Sequence, residues 1–259
     1  MTYPFIDPVL LRLGPLEVRW YGLMYLVGFA IAYFIIRSEF KRRNGPLPAE
    51  MAGDFLFYLI LGLMLGARIG YVIFYNFDVY LRQPWEIFAV WRGGMSFHGG
   101  MIGMIITGWM FSRSNKVPFL ELADIGALSV PMGLMAGRIG NFINGELYGR
   151  VSSVPWAIVF PDGGPYPRHP SQLYEALFEG PILFLTLWTL RRRFETHGLI
   201  LALFIILYGF FRFCIEFFRE PDVQLGYLYL GLTMGQILCL FMMIMGGLLF
   251  LTLQRRSRG

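Results

Sequence analysis

Seven apolar stretches dominate this 259-residue chain, at about residues 20 to 36, 53 to 75, 95 to 112, 121 to 143, 172 to 190, 198 to 218 and 232 to 253. Each is near the ~17 to 25 residues a helix needs to cross the hydrocarbon of a bilayer. Lipid offers no hydrogen bonds to an open backbone, so segments of this kind must be helical. Charged residues make up 15% of the chain and hydrophobic ones 56%, against roughly 25% charged in an ordinary soluble domain. The expected fold class is therefore an all-α membrane protein with seven transmembrane helices. The first stretch has no basic segment in front and no small-residue cleavage site behind, so it is expected to be a retained span and not a secretory leader.

Lysine and arginine set the expected orientation. Arg37, Lys41, Arg42, Arg43, Arg113, Lys116, Arg191, Arg192, Arg193, Arg255, Arg256 and Arg258 fall on one side of the spans, twelve in all. Arg12, Arg19, Arg82, Arg92, Arg150, Arg168 and Arg219, seven, fall on the other. The positive-inside rule places the richer side in the cytoplasm, which puts the N-terminus in the periplasm and the C-terminus in the cytoplasm. The formal charge of +5 is largely this bias, a basic rim against anionic membrane lipid, and argues for no nucleic-acid partner. Cys214 and Cys239 both lie within expected spans, where they pack as small apolar residues.

With no repeat and no soluble domain, residues 1–259 read as one transmembrane domain. The longest piece outside the spans, about residues 144 to 171, carries Pro155, Pro161, Gly163, Gly164, Pro165, Pro167 and Pro170 and is expected to form a small turn-rich periplasmic cap. The segment Phe77 to Trp91, with Trp85, Ile87, Phe88 and Trp91, is suited to lying at the membrane interface.

Function is sought among polar residues that lipid should exclude. Arg68, Arg138 and Arg212 lie within expected spans, where a lone charge costs several kcal/mol. Counted at about 1.5 Å per residue from the outer helix ends, Arg138, Arg212 and Arg68 lie ~8, ~9 and ~10 Å deep, and His98 ~5 Å; Tyr21 is at the outer end of the first span. Tyr208, Arg212 and Glu216, spaced four apart, share one helix face. They serve either as a buried structural ion pair or as part of a site. Arg68 is equally open to a structural reading, and Glu175 and Glu179, also four apart, are natural counter-charges. The densest polar run, Gly137 to Arg150, holds Arg138, Asn141, Asn144 and Glu146 among four glycines; a helix C-terminal cap alone does not need all of them.

Two guanidinium groups at one depth suit the phosphate of an anionic phospholipid, because the planar fork binds phosphate oxygens in pairs. His98 can act as a general base near neutral pH, or can be a structural residue at a helix start. Metal-assisted phosphoryl transfer needs acidic clusters that this sequence lacks, and serine-hydrolase and zinc signatures are missing as well. A transporter or flippase for an anionic lipid or solute stays open, since Pro131, Gly133 and Gly137 could break the fourth span. Polar residues gathered toward one face favour an enzyme instead.

Gly137 to Gly149 reads G-R-x-G-N-F-x-N-x-E-x-x-G, and with this run the chain resembles the bacterial phosphatidylglycerol:prolipoprotein diacylglyceryl transferases. Supporting stretches are Arg19 to Gly22, Gly66 to Tyr71, Met95 to Gly100, Arg168 to Glu175, Tyr208 to Arg212 and Glu216 to Arg219. The resemblance implies transfer of the diacylglyceryl group of phosphatidylglycerol to the lipobox cysteine of a preprolipoprotein, with release of glycerol 1-phosphate, at the periplasmic side of the bacterial inner membrane. It further implies that Arg138 and Arg212 hold the headgroup and that Tyr21, Asn141, Glu146 and Gly149 shape the site. Glu216 would orient Arg212, and His98 would be the base for the thiol. Tyr208 and Arg68 are added to the expected substrate-binding set from their position. No metal or soluble cofactor is implied.

Overall fold

The computed structural model describes residues 1–4, 6–14, 16–220, 226, 228 and 231–256; Arg258 of the cytoplasmic charge count lies outside them. An antiparallel hairpin of β1 (Val9–Leu13) and β2 (Leu16–Arg19) runs directly into α1 (Trp20–Arg43). There follow α2 (Ala52–Tyr75), the short α3 (Phe77–Arg82), α4 (Phe97–Asn115), α5 (Phe119–Ile143), α6 (Ser171–Leu177), α7 (Leu183–Leu190), α8 (Leu199–Glu216) and α9 (Met234–Arg256). Six helical segments are long and apolar enough to cross a membrane: α1, the stretch Ala49–Tyr75, α5, the stretch Ser171–Leu190, α8 and α9. The chain is an all-α, multi-pass membrane protein. The third expected span forms the 19-residue helix α4, whose glycines, serines and His98 dilute its apolarity. Large side chains on the spans, among them Phe34, Phe74, Trp109, Phe241 and Ile244, are exposed, as lipid-facing positions should be.

The residues group into two compact units, named for their order along the sequence: a central one, Tyr33–Ile125, and a flanking one, Met1–Ala32 with Gly126–Gly259. In the central unit, α2 and α4 run antiparallel with backbones in direct contact. Gly62, Gly66 and Gly70 face Gly103, Gly99 and Thr107, so a methyl group at Gly66 would lie 2.8 Å from the Gly103 Cα, and one at Gly103 would overlap the Gly62 carbonyl. Small residues every fourth position allow this, and close packing is what holds helices together where lipid supplies no hydrophobic drive. Next to this seam, Phe40, Phe55, Phe111, Leu122 and Ile125 form a buried core. Glu39, also buried, accepts from Arg42 at 2.6 Å and carries α1 past its apolar run to Arg43.

Arg68 sits in this unit and is buried. Its Nε donates to the Ile87 carbonyl (2.8 Å), one Nη to Gly93 and Gly94 (2.7 and 3.1 Å) and the other to Glu86 and Ala89 (2.6 and 3.4 Å). All five guanidinium donors are thus taken by backbone carbonyls. Arg68 therefore fixes the irregular 86–94 segment onto α2, and no donor is left for a phosphate. Trp85, Phe88 and Trp91 of the segment are exposed, as an interfacial segment requires, while Ile87 is half-buried.

In the flanking unit, α8 and α9 pack closely where Gly209 meets the Cys239 carbonyl and Gly246 meets Ile206. The 144–170 stretch contains no helix. It is held by backbone bridges between Gly149 and Arg219, Val151 and Arg168, and Ile158 and Arg168, and Thr2 pairs with Val159. Tyr3 donates its hydroxyl to the last α5 carbonyls, Phe142 and Ile143, both at 2.7 Å, which satisfies groups that a helix end leaves open.

Candidate active site

The last two turns of α5 carry Arg138 and Asn141, and α8 carries Tyr208, Arg212 and Glu216. Facing them is a helix with a fault in it. Pro181 lacks the N–H that the helix interior needs, and Gly180 lies so close to α5 that a Cβ would approach the Met135 Cβ to 2.6 Å. The chain answers with a kinked π-type turn, Phe178–Ile182, between α6 and α7, in which Gly180 (φ -97°, ψ -108°) leaves the helical region. Glu175 and Glu179, before and within this turn, are both fully buried.

The result is a network of three guanidinium groups and three carboxylates. Glu175 meets Arg138 Nε at 2.9 Å and Arg219 Nη1 at 2.6 Å, and accepts a short hydrogen bond from Arg212 Nη1. Arg212 Nη2 lies 3.1 Å from Glu216 Oε2, whose carboxylate also accepts from the Thr233 hydroxyl at 3.2 Å. Arg219 Nε is 3.4 Å from Glu216. Glu179 stands further off, 3.7 Å from Arg212 and 4.0 Å from Arg138. Formal charges cancel, three against three, and cancellation is the condition for burying them at all. Arg138 is different in one respect: its side chain keeps 20% of its surface exposed, and neither Nη makes a hydrogen bond among the described residues. A bidentate fork is thus open to an incoming anion.

Around the arginines the remaining site residues act as braces. Asn141 and Asn144 donate to Glu146 Oε1 at 2.8 and 3.2 Å, and the Glu146 carbonyl accepts from Gln172 at 2.6 Å. This ties the end of α5 to the start of α6. Gly145 and Leu147 take positive φ, 69° and 58°, so the turn after α5 bends sharply enough to bring Glu146 back to Asn141. At Gly149 any Cβ would overlap the Phe218 carbonyl and come within 2.9 Å of His169. Tyr21 packs against Gly140, where a Cβ would lie 2.8 Å from its ring, and shares a 3.2 Å hydrogen bond with Tyr25. Tyr208 stacks on Phe204 at 5.8 Å.

Of the expected site residues, the structure brings Arg138, Arg212 and Glu216 into one network. Asn141, Glu146, Gly149 and Tyr21 lie beside it in the same unit, and Tyr208 is one turn from Arg212 on α8. Arg68 and His98 belong to the central unit. His98 is exposed in the first turn of α4, behind a Ser96 cap that accepts from the Gly99 amide at 3.2 Å, and its ring makes no hydrogen bond among the described residues. Arg219 is a member of the network that the expected site residues did not include, although the sequence places it among the loop charges and at the end of a family-like stretch. Its signal was its spacing, three residues after Glu216 and seven after Arg212, which extends the polar stripe of α8.

A family model described as prolipoprotein diacylglyceryl transferase matches residues 8–252. The chain belongs to the prolipoprotein diacylglyceryl transferase family. Curated relatives carry the name phosphatidylglycerol--prolipoprotein diacylglyceryl transferase. One from Geobacter sulfurreducens is 53% identical over 259 residues, all of both chains. One from Nitratidesulfovibrio vulgaris is 53% identical over 247 residues, covering 95% of this chain and 94% of its own. A third, from Pseudomonas paraeruginosa, is 51% identical over 258 residues, 99% of this chain and 97% of its own. The family is one of transferases, and it leaves no support for a transporter or flippase.

Proposed function

We propose that the chain transfers the diacylglyceryl group of phosphatidylglycerol to the lipobox cysteine thiol of preprolipoproteins, forming a thioether and releasing glycerol 1-phosphate. The work is done toward the periplasmic side of a bacterial inner membrane, by one catalytic domain of seven spans with its N-terminus outside and its C-terminus in the cytoplasm. Residues 144–171 form the periplasmic cap.

The observation that carries this is the buried arginine and carboxylate network with the Arg138 fork left open. The headgroup phosphate takes Arg138 and shares Arg212, while the acyl chains stay in lipid. Sulfur, as the thiolate, attacks the glyceryl carbon that bears the phosphate ester. That C–O bond breaks and its electron pair leaves on the phosphate oxygen, where guanidinium donors already in place stabilise the added charge. A free thiol titrates near 8.5, so its proton must be removed; His98 takes it by resemblance to the family. Glu216 orients Arg212, and Asn141, Glu146, Gly149, Tyr21 and Tyr208 hold the shape of the site. Arg68 has no part in binding, since its donors are filled.

Purified protein incubated with phosphatidylglycerol and a lipobox peptide should yield a thioether-linked diacylglyceryl peptide and glycerol phosphate. The same peptide with serine for cysteine should yield neither. Modification of the serine peptide, or none of the cysteine peptide, refutes the proposal.

A further inference from the structure

Glu179 has a place in the network that charge balance alone does not explain. It is fully buried, yet neither carboxylate oxygen accepts a hydrogen bond among the described residues. The nearest guanidinium nitrogens are 3.7 and 4.0 Å away, whereas Glu175, four residues earlier, is met at 2.9 and 2.6 Å. Every neighbouring element contributes to its surroundings. Arg138 comes from α5, Glu175 from α6, Tyr208, Arg212 and Glu216 from α8, Arg219 from the turn after α8, and Cys239 from α9. Before substrate arrives these charges sum to zero. A phosphodiester headgroup brings one more negative charge into a place with three guanidinium groups and three carboxylates, and an uncompensated charge there is unfavourable. One carboxylate must then leave or become neutral. Glu175 and Glu216 are fixed by close pairs, and Glu179 is the one that ordinary ion pairing holds least.

We propose that Glu179 takes up one proton when the phospholipid headgroup binds, so that headgroup binding at the arginines is proton-coupled. The balance is simple: a carboxylate and a solvent proton become a carboxylic acid, and the anionic headgroup replaces the lost negative charge. Glu179 is a positioning residue in this scheme, acting through Arg138 and Arg212 and touching no reacting atom. When the leaving phosphate gains its extra charge, the neutral Glu179 opposes it less than a carboxylate would. The inference rests on the proposal that phosphatidylglycerol is bound here.

The test is calorimetric titration of the detergent-solubilised full chain with dioctanoyl phosphatidylglycerol, without peptide, in two buffers of different ionisation enthalpy. A phosphodiester stays a monoanion from about pH 5.5 to 8.5, so any coupled proton in that range belongs to the protein. About one proton should be absorbed per lipid bound, and affinity should fall by up to about tenfold per pH unit on the alkaline side. Glu179→Gln should bind with no proton uptake and a flat pH profile. Should that variant fail to fold, Glu179→Asp must keep the uptake. Binding by the natural chain without proton uptake removes Glu179's role and leaves the headgroup site standing, as does uptake unchanged in Glu179→Gln. A chain that binds no phosphatidylglycerol loses both.

Discussion

Arg68 in the central unit and Arg212 in the flanking unit both lie in apolar helices, but they are satisfied in opposite ways. Arg68 gives all five donors to neutral carbonyls of residues 86–94. Arg212 is held by the carboxylates of Glu175 and Glu216. Carbonyls are part of the backbone and cannot be exchanged, so the first arrangement is architecture. An anion paired with arginine can be traded for another anion, so the second is able to receive a substrate. Burial alone does not distinguish the two; the charge of the partner does.

The contrast can be broken first at Arg68. Arg68→Met leaves up to five carbonyls without a donor and should lower stability by about 3 kcal/mol or more, read as a fall in the detergent unfolding midpoint. The KM for phosphatidylglycerol of the surviving folded protein should be unchanged. Arg212→Lys keeps the charge and loses the fork, so transfer should fall by about 100-fold, roughly 2.7 kcal/mol, with the unfolding midpoint little altered. If the two variants traded these phenotypes, the distinction would be wrong. His98→Gln sharpens it within the central unit: turnover at neutral pH should drop by about 100-fold if the ring is the base, and near-normal turnover makes it a structural residue.

The smallest effect is expected from His169, in the cap of the flanking unit. Burial holds its pKa below the usual histidine value, and its Nδ1 lies 3.0 Å from the Tyr174 hydroxyl. The folded state therefore binds this proton less readily than the unfolded chain does. Stability should decline as pH falls through about 6.5, where the unfolded histidine gains charge. His169→Gln should reduce that decline, which thermal unfolding at a series of pH values will measure.

The spans were legible because apolar length is a property of single segments. All seven expected stretches are helical, and six of these helical segments are long and apolar enough to cross a membrane. The hairpin of Val9–Leu13 and Leu16–Arg19 was not foreseen, because its first strand has apolar residues on both faces, mostly exposed, and so lacks the alternation that marks a half-buried strand. Of the close-packed α2 glycines, Gly66 and Gly70 fall in a family-like stretch and Gly62 lies before it; which helix they touch depends on pairing at a distance. In the site, Arg138, Arg212 and Glu216 could be chosen from the cost of charge in lipid. Glu175 and Glu179 were visible as counter-charges, but not that one is tightly paired and the other loosely. Glu175 lies before the kinked turn Phe178–Ile182 and Glu179 within it, and sequence spacing alone does not show how a kink pairs its residues.

At Gly180 the backbone leaves the helical region, with φ -97° and ψ -108°, so the direction and phase of everything after it hang on this one kink. Leu183 and Leu187, which follow this kink, are both fully buried. Removing a single residue between Phe178 and Ile182 would rotate α7 by about 100° and turn its inward leucines toward lipid. Here chain length is a coordinate as sensitive as residue type.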